Sequence, residues 1–215
     1  MGIIAMKTGI IFDLDGTLWN AVEQITESWN IVGDRRPEVN THITLEQMMS
    51  MMGKTMDKFA VLFPELEGQA VQDVLEECYV YELEYLLEHP GTLYPNVEPV
   101  LKELCKHYPL YIVSNCQEGY IETFLKACNL EQYFEDTENY GRTGKEKSEN
   151  IRILMERNQI AHGIYIGDTL GDYQAAMKAG NTFIHAAYGF GEAPDREYYV
   201  NSFEEIPEMI KNISK

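Results

Sequence analysis

Two aspartates stand two residues apart at the end of an apolar run, in the stretch IIFDLDGTLW (residues 10–19). In extended backbone, side chains two apart point the same way. Asp13 and Asp15 therefore face one spot while Leu14 turns back toward the core. Like charges so placed are tolerated when a cation sits between them or when one carboxyl holds a proton. Mg²⁺ fits, because it takes carboxylate and carbonyl oxygens and keeps waters and phosphate oxygens. Gly16 permits a tight turn, and Thr17 adds a hydroxyl. Two more polar clusters follow short apolar runs: Ser114 and Asn115 after LYIV, and Asp168 with Asp172 after GIYI.

Other readings of these residues fail on spacing. An EF-hand loop from Asp13 needs glycine sixth and glutamate twelfth, where Leu18 and Gln24 stand. GRTGKEKS lacks the glycine–lysine spacing of a P-loop, and YGFGEA lacks the third glycine of a dinucleotide fingerprint. The five histidines show no HxxxH or HExxH pattern, so zinc has no support.

The elements that position the clusters follow from periodicity. Residues 8–12, 110–113, 163–166 and 182–186 are short and apolar, each stopping at small or polar residues, as strands buried on both faces do. Helical patterns alternate with them: residues 97–108, 120–128, a segment with Ser148 as its expected N-cap, and 175–179 ending at Gly180. That alternation predicts α/β architecture: a Rossmann-like parallel sheet core with helices on both faces. In such sheets ligands bind at the carboxyl ends of the strands, where the polar clusters fall.

Residues 20–89 break the rhythm and read as helices only: 21–32, 44–52, 56–63 and a long one over 69–88. Thr44 and Gln47 form a capping box. Val71, Val74, Leu75, Cys78, Tyr85 and Leu86 make an apolar stripe. The chain thus divides into a core of residues 1–18 and 90–215 and an inserted all-helical cap domain of residues 19–89. Pattern alone does not separate a lid over the strand ends from extra helices packed on the sheet. Met48, Met49, Met51 and Met52 are expected to fill the core.

The 215 residues are 45% hydrophobic and 24% charged, ordinary globular composition. Seventeen Lys+Arg against 35 Asp+Glu give a formal net charge of −18. That balance argues against nucleic acid and anionic membrane surfaces as partners. It leaves a small anionic substrate to be drawn locally, by a metal ion, a lysine or helix N-termini. Cys78, Cys105, Cys116 and Cys128 are widely spaced and expected to be reduced. The N-terminal MGIIAMKTGI is no secretory signal, and Met6 breaks the myristoylation pattern, so a cytoplasmic protein is expected.

Taken together, DLDGTL, a helical insert, VSN, a lysine before a helix and GDTLGD resemble the haloacid dehalogenase-type hydrolase superfamily, close to its phosphoglycolate-phosphatase-like members. The resemblance runs over nearly the whole chain. It implies an Mg²⁺-dependent phosphatase acting on a small phosphorylated metabolite through an aspartyl-phosphate. By that resemblance Asp13 is the nucleophile and Asp15 the general acid/base. Ser114, with Asn115 and Thr17, holds the transferring phosphoryl group. Asp168 binds the metal beside Asp13 and the Asp15 backbone carbonyl, and Asp172 contacts it directly or through water. Lys145 and Lys147 compete for the phosphate-binding lysine; Lys147 is preferred because it directly precedes the helix that Ser148 is expected to cap. Lys54, in a loop between cap helices, is a further substrate contact or an ordinary turn lysine. Trp19-Asn20 departs from the family, where many relatives have a small apolar residue and Asp.

Two alternatives use similar residues. A phosphomutase of the β-phosphoglucomutase type would share all the motifs and differ in what its cap admits. A signalling receiver module also gathers an aspartate, metal ligands, a hydroxyl and a lysine, but it places its acidic pair and phosphoacceptor on different strands and lacks such an insert. The dehalogenase branch needs no metal, and its first motif lacks the second aspartate.

Overall fold

The computed structural model describes residues 7–213. The readings made on residues 1–6, no leader and no myristoylation pattern, lie outside them. In chain order the elements are β1 (Lys7–Phe12), β2 (Trp19–Asn20), α1 (Val22–Asp34), α2 (Leu45–Met49), a 3₁₀ segment (Met56–Leu62), α3 (Gln69–Glu88), β3 (Thr92–Leu93) and α4 (Val97–Leu104). There follow β4 (Leu110–Ser114), α5 (Tyr120–Cys128), β5 (Phe134–Asn139), α6 (Tyr140–Thr143), α7 (Lys147–Arg157), β6 (Ile160–Gly167), α8 (Leu170–Ala179), β7 (Thr182–Ala186), β8 (Tyr198–Val200) and α9 (Ile206–Ile213).

The main sheet has the order β5-β4-β1-β6-β7-β8, and every pairing in it is parallel. Alternation along each central strand feeds two cores, because successive side chains leave opposite faces. Ile10 and Phe12, Leu110 and Ile112, Ile164 and Ile166, and Ile184 enter one core with residues of α4, α5 and α9. Ile11, Tyr111, Val113, Tyr165 and Phe183 enter the other, against α7 and α8. Phe12 stacks on Phe203 at 5.9 Å between ring centroids. Burial of each such side chain contributes roughly 1.5–3 kcal/mol. The predicted sheet, wrapped on both faces and carrying a helical cap, is the observed architecture.

The cap has its own aromatic centre, in which Trp29 packs against Phe59, Phe63 and Tyr79 at 5.4–6.1 Å. Helix α3 crosses from this cluster to α5 of the sheet layer. The Thr44 capping box is present, with Thr44 Oγ1 accepting from Gln47 N and Gln47 Oε1 from Thr44 N.

Several local expectations are corrected. Ser148 does not cap α7; Glu146 precedes the helix, and Ser148 lies buried in its first turn. The segment after Thr44 keeps helix only to Met49 and then turns, with Gly53 at a φ of 76° in the loop that follows. In place of the α-helix expected over residues 56–63, Met56–Leu62 is a 3₁₀ helix, and the helix starting at Val97 stops at Leu104. Met48 and Met51 are buried, but Met49 is exposed and Met52 lines a cavity. Strand β5, FEDTEN, escaped notice because it is a charged edge strand. Arg157 pairs with its Asp136 and Glu138, and Arg142 reaches Glu138 as well. Strands β2 and β3 form a two-residue antiparallel ribbon where the chain leaves and re-enters the sheet layer. All four cysteines are free thiols, and among the described residues no helix is long and apolar enough to cross a membrane.

Candidate active site

Because the strands are parallel, their carboxyl ends meet on one edge, and four of them deliver chemistry there. Asp13 leaves β1 with its backbone N–H donating to Ile166 O at 2.8 Å. Its Oδ1 accepts from Lys147 Nζ at 2.8 Å. The same ammonium donates to Asp172 Oδ1 at 2.5 Å. All three side chains are nearly inaccessible, at 2%, 6% and 1% exposure for Asp13, Lys147 and Asp172. An isolated charge could not remain at that depth, so the group stands or falls together. Burial pushes the Asp13 carboxyl well above the usual carboxylate range, Asp172 adds to this, and Lys147 opposes both. Burial by itself depresses the Lys147 ammonium, but Asp13 and Asp172 outweigh it and hold the group well above its ordinary value.

Lys147 lies in the first turn of α7. Its competitor Lys145 points to solvent and pairs with Glu149 at 2.7 Å, an ordinary i,i+4 contact.

Asp168 follows β6 and is fully buried. Its Oδ2 accepts from Phe190 N at 2.7 Å, so the glycine-containing loop after β7 closes over it. Its Oδ1 has no hydrogen-bond partner. Burial and the Asp172 charge raise this carboxyl to about 7. Asp172 is fixed by a second capping box, in which Thr169 N and Oγ1 both donate to its Oδ2. Asp13, Asp168 and Asp172 each present one carboxylate oxygen, and these oxygens lie within 4.8 Å of one another. Three hard oxygen donors, from residues that include Asp168 with its unpartnered Oδ1, are what a small divalent cation requires.

Asp15 stands outside this group. Its Oδ1 accepts from Tyr120 OH at 2.9 Å and from Trp19 Nε1 at 3.0 Å. Burial raises the Asp15 carboxyl to about 6, and the Tyr120 and Trp19 hydrogen bonds restrain the rise. The two aspartates of DLD therefore occupy different environments, one against a lysine and the other against two neutral donors. Trp19, the departure from the family pattern, is fully buried and packs on Phe124 at 4.9 Å. Gly16 makes the turn between them at a φ of 81°. A β-carbon there would overlap the Asp168 carboxylate. Thr17 Oγ1 is buried and unpartnered.

Ser114 ends β4 at 5% exposure. Next to it, Asn115 Nδ2 donates to Gly53 O of the cap at 2.9 Å. Asp13, Asp15, Ser114 and Asn115 share a cavity of about 40 Å³ with Lys54 and Met52 from the cap loop. Lys54 sits at its exposed rim, its ammonium 3.8 Å from Met51 Sδ. Cys116 also lines it, and burial pushes that thiol up.

Among the lining residues that sequence reasoning passed over are Tyr120, Gln117 and Glu82. Glu82 is 3% exposed. It accepts from Trp29 Nε1 at 2.5 Å and from Gln117 Nε2 at 2.9 Å. The signal was present, because Glu82 falls on the buried stripe of α3, midway between Cys78 and Leu86.

A family model for haloacid dehalogenase-like hydrolases matches residues 10–186. A phosphoglycolate phosphatase of Nitrosospira multiformis is 29% identical, over 86% of this chain and 86% of its own length. One from Xylella fastidiosa is 26% identical, over 96% of this chain and 92% of its own. A crystal structure of a predicted phosphoglycolate phosphatase from Haemophilus somnus superposes with a TM-score of 0.82 at 22% identity, covering 97% of this chain and all of that one. The chain belongs to the haloacid dehalogenase-like hydrolases.

Proposed function

We propose that the protein is an Mg²⁺-dependent phosphatase that hydrolyses a small phosphomonoester through a phosphorylated Asp13. The observation that carries this reading is the separation of two carboxyl environments within DLD. Asp13 sits against Lys147 beside two further aspartates, while Asp15 sits against Tyr120 and Trp19 with its carboxyl raised to about 6. The two carboxyls differ in partner: the Lys147 ammonium favours the ionised form of Asp13, as a nucleophile needs, while Asp15 has two neutral donors and a raised carboxyl suited to acid/base work. The relatives named as phosphoglycolate phosphatases support the reaction class.

In the proposed mechanism an Asp13 oxygen attacks phosphorus as the bond to the alcohol oxygen breaks, and Asp15 gives its proton to that leaving oxygen. Asp15, now a carboxylate, takes a proton from water. The resulting hydroxide attacks the phosphorus of the acyl phosphate, frees inorganic phosphate and restores Asp13. Ser114, Asn115, Thr17 and Lys147 hold the phosphoryl oxygens on which transition-state charge spreads. Asp13, Asp168 and Asp172, with the Asp15 carbonyl, would hold Mg²⁺, whose charge offsets that of the phosphoryl oxygens. We place the cap at residues 19–89 and the core at residues 1–18 and 90–215, with Lys54 reaching the substrate from the cap.

The test is phosphate release from a panel of phosphomonoesters with Mg²⁺ or EDTA, for wild type and Asp13→Asn. Metal-dependent turnover that the variant loses by at least about 10³-fold is the expected result. A long-lived aspartyl-phosphate without turnover, or turnover only with a bisphosphate activator, would refute hydrolysis as the reaction.

A further inference from the structure

Glu82 has no role in the chemistry above, yet it occupies the same cavity. It is a nearly inaccessible carboxyl on the cap helix α3. Its two partners, Trp29 Nε1 and Gln117 Nε2, are neutral donors, one from the cap and one from the loop after β4. No lysine or arginine pairs with it among the described residues. A carboxylate has about four acceptor sites, and two hydrogen bonds leave it able to accept more. Each oxygen already accepts one hydrogen bond, but neither partner is a cation, and the remaining acceptor sites are open to a donor on a ligand.

The cavity's charge points the same way. Among its lining side chains Asp13, Asp15 and Glu82 are acidic and only Lys54 is basic. Lys54 stands at the exposed rim, whereas Glu82 and Gln117 are buried in the wall. Ile25, Met52, Met56 and Phe59 supply an apolar surface between the polar groups, suited to the methylenes of a short tail. A tail ending in a carboxylate would meet Glu82 without a buried cation to offset the repulsion. One ending in a hydroxyl or ammonium would complete the glutamate's shell.

We infer that Glu82 is a specificity-determining residue that selects phosphomonoesters whose alcohol carries a hydroxyl or ammonium donor and disfavours those with a carboxylate tail. The inference rests on the phosphatase reading, and it separates this chain from the substrate in its relatives' names. Burial, with Asp15 adding to it, raises the Glu82 carboxyl to about 7. That is consistent with a site lacking its own cation, and an incoming ammonium would favour the ionised form.

The experiment measures kcat/KM for glycerol 2-phosphate, phosphoethanolamine, phosphoglycolate and p-nitrophenyl phosphate, with Mg²⁺, for wild type and Glu82→Gln. Wild type should favour the better of the two donor-bearing esters over phosphoglycolate by at least about tenfold. Glu82→Gln should shrink that ratio at least about tenfold, because the amide no longer repels the carboxylate. Circular dichroism and melting establish that the variant is folded, and the wild-type ranking stands without it. Phosphoglycolate as the preferred wild-type ester overturns the inference and leaves the phosphatase intact. An unchanged ratio in folded Glu82→Gln does the same, showing Glu82 to be only a strut between cap and core. Failure of wild type to hydrolyse any ester, p-nitrophenyl phosphate included, overturns the phosphatase reading and this inference with it.

Discussion

Glu82 also gives the fold a pH dependence that can be worked from its surroundings. In the unfolded chain it titrates near the ordinary 4.5; in the fold, burial lifts it to about 7. A carboxyl whose folded value is the higher one prefers the fold when protonated. Its contribution is fully present below the unfolded value and is lost as pH rises through the folded one. The shift corresponds to about 3 kcal/mol in total. About 2.5 kcal/mol of this falls between pH 5 and pH 8.

Glu82→Gln removes the titration while preserving shape. Its amide oxygen can take the Trp29 hydrogen bond, and its NH₂ can meet Gln117 once that side chain turns its own oxygen inward. The stability of the variant relative to wild type should therefore rise by about 2.5 kcal/mol from pH 5 to pH 8. For a chain of this length that is roughly 5–10 °C in the difference between melting temperatures. Calorimetric or fluorescence melts of both proteins across this range, in EDTA to keep metal binding out of the comparison, measure it. A difference independent of pH would refute the reasoning, since it would mean that Glu82 titrates alike in the folded and unfolded chain.

Three further outcomes are expected. Lys147→Met leaves Asp13 and Asp172 buried and unpaired, so the metal-free protein should lose about 3–5 kcal/mol and activity should fall by at least about 10²-fold, read from urea unfolding in EDTA and from phosphate release. Gly16→Ala forces a side chain into the left-handed region and against Asp168; it should cost more than about 2 kcal/mol and weaken Mg²⁺ binding, as melts with and without the ion would reveal. Saturating Mg²⁺ at about 100 times its dissociation constant should stabilise wild type by about 2.7 kcal/mol, and Asp168→Asn should lose most of that shift.

Much of the sheet was legible because central parallel strands must be apolar on both faces, and GIIF, LYIV, GIYI and TFIHA have few other uses. The same rule hid β5: an edge strand with Asp136 and Glu138 pairing to Arg157 carries the composition of a loop. Site residues placed by strand ends were readable, since a strand's last residue fixes its neighbour in space. Trp19 and Tyr120, which hold Asp15, were not, because a contact between residues 15 and 120 depends on how α5 packs against the β1 turn. Ser148 misled for a related reason. A serine before an apolar helical pattern suits an N-cap, but the α7 backbone begins one residue earlier, with Lys147 itself helical, and tertiary pairing with Asp13 and Asp172 fixes that register. Glu82 was legible and overlooked: an acid on an otherwise apolar stripe is a local inconsistency, and such conflicts collect at functional sites.

The overall charge of −18 makes the arrangement around Asp13 harder to explain as packing. At physiological ionic strength a charge is screened over about 8 Å, so the distant acids of the surface matter little, while the nearest groups matter a great deal. Those nearest groups are acidic too. Asp13 and Asp172 hold a single ammonium, Lys147, with Asp168 beside the two carboxylates, and with all four ionised the local charge is −2. A phosphate dianion would be repelled from that cluster. One divalent cation brings it to neutrality, and Asp168 Oδ1, buried without a partner, is the oxygen left over for it. Selection for stability alone would have replaced such a group with apolar side chains, which usually pack at no loss. On the proposed reading, three buried aspartates beside one lysine suit ligands that arrive as a cation and an anion together.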